Sequence, residues 1–171
     1  MQRTLLVLSG VLLAAVPPAR AQQPPPGCGG TEHHQFDYWL GDWTVTDSAG
    51  RTTLGTNLVT REEDGCLIHE HWHGSRGGTG QSFNFYDRNQ GHWEQVWVAS
   101  GGGVLRLAGR LEGTSMILEG ESTSSTGGAI SNRIAWTPQA DGRVRQYWRT
   151  STDGGKTWQV SFDGWYRKPI P

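Results

Sequence analysis

Apolar and polar residues alternate with period two over most of the chain, in stretches cut by Gly, Asp and Asn. The stretches 42–48, 52–62, 66–73, 81–87, 92–99, 104–111, 115–122, 129–137, 143–151 and 157–166 read as strands. The breaks between them are short and carry turn chemistry: Asp64-Gly65, Arg88-Asn89-Gln90-Gly91, Gly101-Gly102-Gly103, Glu112-Gly113, Thr126-Gly127-Gly128, Asp141-Gly142 and Asp153-Gly154-Gly155. A different period appears only near the start, where Phe36, Trp39 and Leu40 sit at i, i+3 and i+4. That spacing predicts one short helical turn with an apolar face, ended by Gly41. About ten strands joined by short loops predict an all-β, up-and-down antiparallel barrel, because closure removes the exposed edges. A β-sandwich is the alternative.

Period two also assigns faces. In 143–151, Arg143, Arg145 and Arg149 share one side with Tyr147, so Val144, Gln146, Trp148 and Thr150 point inward. With a turn at Arg88–Gly91, Asn84 falls opposite Gln95 and Asp87 opposite His92. The charge-free face of that hairpin carries Ser82, Asn84, Tyr86, Trp93, Gln95 and Trp97, and is placed inside. Leu105, Leu107, Leu111, Met116 and Leu118 form an apolar wall further along. In Cys66–His73, Ile68, Glu70 and Trp72 share the inward face, and His69, His71 and His73 point out.

This interior has a chemical reading. Amides among aromatics suggest a lumen that holds a small, partly apolar molecule against Trp72, Asn84, Tyr86, Trp93, Gln95, Trp97, Gln146 and Trp148. The alternative is a filled core in which the amides satisfy one another. Glu70, a lone inward carboxylate, is the candidate acid or base of an enzyme acting on a hydrophobic small molecule. The histidine row offers a metal or haem alternative through His69, His71, His73 and His92, with Asp87 or Glu94 as other third ligands. Ser151-Thr152-Asp153-Gly154-Gly155-Lys156-Thr157-Trp158 resembles the Asp-box of sialidases. One such box cannot build a propeller, so it reads as a hairpin device.

Composition adds the compartment. The chain has 171 residues with 25 Gly, 9 Trp and a net charge of -1, which argues against nucleic acid as a partner. Residues 1–21 read as a signal peptide: Arg3, an apolar run Leu5–Val16, and Ala19-Arg20-Ala21 as the cleavage site. Cleavage after Ala21 predicts an exported, periplasmic or extracellular protein without a stable membrane span. Residues 22–32 form a Pro/Gly-rich tail, and 33–171 a single barrel domain. In an oxidising compartment Cys28 and Cys66 read as one disulfide, with two free thiols as the alternative. The oligomeric state is left open.

Phe36-Asp37-Tyr38-Trp39-Leu40-Gly41-Asp42-Trp43 resembles the opening motif of a family of exported bacterial proteins of unknown function with lipocalin-like folds. The likeness continues through Gly65-Cys66, Glu70-x-Trp72, Ser82-x-Asn84-x-Tyr86-Asp87, Trp93-x-Gln95-x-Trp97 and Ser151-x-Asp153-Gly154-Gly155. The resemblance implies a calycin-type barrel with the N-terminal turn closing one end, and implies no activity. Haem-binding barrels of the nitrobindin kind share the architecture but are matched only at Gly41-x-Trp43.

Overall fold

The computed structural model describes residues 27–169; residues 1–21, expected to be a signal peptide, and the start of the tail lie outside them. Ten strands run β1 Gly41–Thr46, β2 Thr53–Glu62, β3 Leu67–Gly74, β4 Thr79–Asp87, β5 His92–Ala99, β6 Val104–Glu112, β7 Ser115–Thr123, β8 Ala129–Pro138, β9 Val144–Ser151 and β10 Gln159–Arg167. Each pairs antiparallel with its sequence neighbour, and β1 closes on β10. The fold is thus the closed up-and-down barrel that the alternation predicts, and not a sandwich. The closing seam is the shortest ladder, with register pairs Thr44–Arg167, Val45–Tyr166 and Thr46–Trp165.

The register follows from the turns. Gly91, at φ +69°, ends the β4–β5 connection and sets Asn84 opposite Gln95 and Asp87 opposite His92. A slip of one residue would turn Arg and Glu into the lumen, so face and register are fixed together. Observed burial follows the inferred faces: Ile68, Glu70, Ser82, Asn84, Trp93, Gln95, Leu105, Leu107, Met116 and Leu118 are all buried. Arg133 faces out, paired with Glu119.

One end is plugged by the N-terminal segment. Two 3₁₀ turns, Thr31–His34 and Asp37–Trp39, replace the single turn expected, with Phe36 between them. Phe36 stacks on Trp39 at 4.8 Å and meets Trp93 and Trp136 edge-on at 5.7 and 5.4 Å. These rings, with Trp43, are essentially fully buried. Each buried large apolar side chain contributes about 2–3 kcal/mol, so this cluster anchors the domain. Tyr38 ties the plug to the wall: its hydroxyl donates to Trp136 O at 2.8 Å and accepts from Met116 N at 3.0 Å. Burial pushes that phenol well above its usual range. The disulfide Cys28–Cys66 joins the tail to the β2–β3 connection. Arg61 pairs with Asp37 and donates to Gly65 O at 2.7 Å beside it.

The opposite end carries the Asp-box hairpin between β9 and β10. Asp153 Oδ1 accepts from Lys156 N, Thr157 N and Ser151 Oγ, and Oδ2 from Thr157 Oγ1. These donors hold its carboxyl well below the ordinary range. The box is a hairpin clasp, as its residues imply.

Candidate functional site

A cavity of about 130 Å³ opens in the half of the barrel away from the plug. It is lined by Glu70, Trp72, Gln95, Trp97, Leu105, Ile134, Gln146, Trp148, Phe162 and Tyr166. Glu70, Gln95 and Tyr166 are buried at its floor, whereas Trp72, Trp97, Trp148 and Phe162 are partly exposed around it. The lining therefore grades from a polar base to an aromatic rim.

Glycines seat the rim. A Cβ at Gly55 would lie 2.7 Å from the Trp72 ring, and one at Gly80 would overlap the six-membered ring of Trp97. Each indole thus occupies space that a side chain on the neighbouring strand would otherwise fill. Phe162 likewise fills the space beside Gly164, two residues along its own strand. Trp72 and Phe162 meet edge to face at 5.9 Å. Asn132 holds Trp148 by accepting its Nε1–H at 3.1 Å.

The floor is one hydrogen-bonded chain. Glu70 accepts from Ser82 Oγ at 2.6 Å on one oxygen and from Asn57 Nδ2 at 2.8 Å on the other. Ser82 Oγ accepts from Asn84 Nδ2 at 2.9 Å, and Asn84 Oδ1 accepts from Gln95 Nε2 at 2.7 Å. On the other side Asn57 Nδ2 lies 3.3 Å from the Tyr166 hydroxyl, which donates to Gln146 Oε1. Among the described residues no Lys or Arg forms an ion pair with Glu70. Burial, only partly offset by Ser82 and Asn57, pushes its carboxyl up to about 7. A group of that kind exchanges its proton near neutrality, as general acid–base chemistry requires.

Of the predicted ligand-binding residues, Trp72, Gln95, Trp97, Gln146 and Trp148 line this cavity together with Glu70. Asn84, Tyr86 and Trp93 do not line it. Asn84 is consumed in the floor network, and Tyr86 and Trp93 face the plug, against His33 and Phe36. Most of the interior amides are tied into this network, and a cavity stands above it. Phe162 and Tyr166 went unnamed because the β10 alternation is interrupted by a bulge between Val160 and Phe162. The Phe162-Gly164-Tyr166 spacing was the available signal.

A scan against protein-family models finds no match, and a search of curated proteins finds no similar sequence.

The histidines of β3 lie on the outer wall, opposite Glu70 and Trp72. There His69, His71 and Glu62 bring ligand atoms within 4.8 Å of one another. Neither His73 nor His92 belongs to that group; His92 sits 3.4 Å from Glu94 on β5. Glu62 was missed because it lies at the end of β2, brought beside His69 only by strand pairing. Burial and the neighbouring His69 push the His71 imidazole below its ordinary value.

Proposed function

We propose that the protein is an exported, lipocalin-like binding barrel whose lumen takes a small, partly apolar molecule. The observation that carries this reading is the graded cavity, with indole and phenyl rings around a floor of Glu70, Gln95, Gln146 and Tyr166. Its volume is below the several hundred Å³ typical of pockets that engulf drug-sized ligands. The ligand is therefore a single-ring-sized molecule or the end of a longer one, with an apolar body toward the tryptophans and a polar group toward the floor. The hydrogen-bonding capacity of Gln95 Oε1 and Gln146 Nε2, which make no hydrogen bond among the described residues, supports a polar group on the ligand. Export agrees with the disulfide. No described helix is long and apolar enough to cross a membrane.

Native mass spectrometry of the protein purified from its own host tests the proposal, with Gly80→Ala as the comparison, because its methyl displaces the Trp97 ring toward the lumen. The wild type is expected to carry an added small-molecule mass that the variant lacks. A wild type with no retained mass, and no binding of indole, phenol or short-chain fatty acids by ligand-observed NMR, overturns the reading.

A further inference from the structure

The outer wall of β2–β4 carries a second arrangement that the lumen does not use. His69 Nδ1 lies 3.2 and 3.3 Å from the two Glu62 oxygens, and 3.2 Å from His71 Nε2. The other nitrogen of the same ring, Nε2, lies 3.0 Å from Gln81 Oε1. A carbonyl oxygen only accepts, so that contact places the proton of a neutral His69 on Nε2. Nδ1 then presents a lone pair to a carboxylate, which has no hydrogen to give. With His69 neutral, three electron-rich groups converge on one point, where either a second proton on His69 or a metal ion supplies the positive charge.

We propose that Glu62, His69 and His71 form a binding site for one divalent transition-metal ion of the zinc class. The spacing fits. With metal–nitrogen bonds of about 2.0–2.1 Å, two ligand atoms of a tetrahedral ion stand about 3.3 Å apart. The His69–His71 and His69–Glu62 separations match that edge, and all three ligand atoms lie within 4.8 Å of one another, so a rotation of the partly exposed Glu62 side chain closes the third edge. Gln81 supplies the outer hydrogen bond that orients a metal-bound imidazole. Two imidazoles and one carboxylate favour Zn²⁺, Ni²⁺ or Cu²⁺ over Ca²⁺ and Mg²⁺, which take oxygen ligands. Three protein ligands leave a fourth position for water or an exogenous donor, and the partly exposed Glu62 side chain gives solvent access to it. Strand alternation keeps this site separate from the cavity: Glu70 and Trp72 point in, His69 and His71 point out.

The test is calorimetric titration of tag-free, chelator-stripped protein with Zn²⁺, paired with the visible spectrum of the Co²⁺ form. The wild type is expected to bind one Zn²⁺ per chain, with tetrahedral Co²⁺ bands. His71→Ala and Glu62→Gln should each weaken binding at least about tenfold, and Gln81→Leu about tenfold. His73→Ala and His92→Ala should bind as the wild type does. Circular dichroism and thermal melts in chelator confirm that each variant is folded; Glu62→Gln is near-isosteric on a partly exposed side chain and keeps the comparison available. The proposal is overturned by absence of stoichiometric Zn²⁺ in the wild type, by wild-type affinity in both His71→Ala and Glu62→Gln, or by loss of binding in His73→Ala.

Discussion

Glu70→Gln changes the charge of the cavity floor with little change in shape, and its consequence for stability can be worked out. The carboxyl moves from an ordinary value of 4.5 in the unfolded chain to about 7 in the fold, chiefly through burial. Between those values the folded state holds the proton and the unfolded state does not, so stability falls as pH rises. The carboxyl therefore favours the fold fully below the unfolded value, and that contribution is lost as pH passes through about 7. A gap of this size corresponds to roughly 3 kcal/mol, most of it lost between about pH 5 and pH 7. Gln resembles the protonated acid but cannot ionise. It can still accept from Asn57 Nδ2, while its own N–H groups meet Ser82 Oγ at the loss of about one hydrogen bond, or ~1 kcal/mol. Urea denaturation of both proteins at about pH 5, 6, 7 and 8 gives the difference in stability, in which every other titrating group cancels. Chelator is present throughout so that no ion occupies the adjacent histidines. The wild type should lose about 2–3 kcal/mol relative to Glu70→Gln across that range. A difference flat to within about 0.5 kcal/mol would refute the argument that burial holds Glu70 near neutrality.

Three further outcomes follow from the frame around the cavity. Replacing Cys28 and Cys66 together by Ser should lower unfolding free energy by about 4 kcal/mol in chemical denaturation, because the bridge closes a loop of sequence separation 38. Phe36→Ala removes the ring at the centre of the plug and should cost about 3–5 kcal/mol in the same assay, with the cavity end of the barrel unchanged in structure. Asp153→Ala strips the acceptors from Lys156 N and Thr157 N, so those amides should exchange with deuterium faster while amides in β3 and β4 keep their rates. In the wild type their protection should persist to pH below the ordinary carboxylate range, since the clasp keeps Asp153 ionised there.

The strands, their order and their faces were legible because each depends on neighbours in sequence. Arg143, Arg145 and Arg149 alternate with Val144, Gln146 and Trp148, and only one of those sets can be buried. The turn at Arg88–Gly91 fixed the β4–β5 register by simple counting. The cavity's extent was not legible in this way. Tyr86 and Trp93 have the same inward alternation as Trp97, but the plug covers one end of the barrel and leaves the other open. Nothing in the β4–β5 hairpin records that difference.

The sequence by itself determined the barrel, the inward Glu70 and the outward histidines, since turn chemistry and period-two burial are local. The tertiary structure alone decided which inward residues meet empty space and which meet Phe36, because that depends on where a distant segment docks. It decided too that Glu62, rather than His92, Asp87 or Glu94, stands beside His69 and His71. Their contact follows from antiparallel pairing of β2 with β3, which joins residues by register rather than by spacing along the chain.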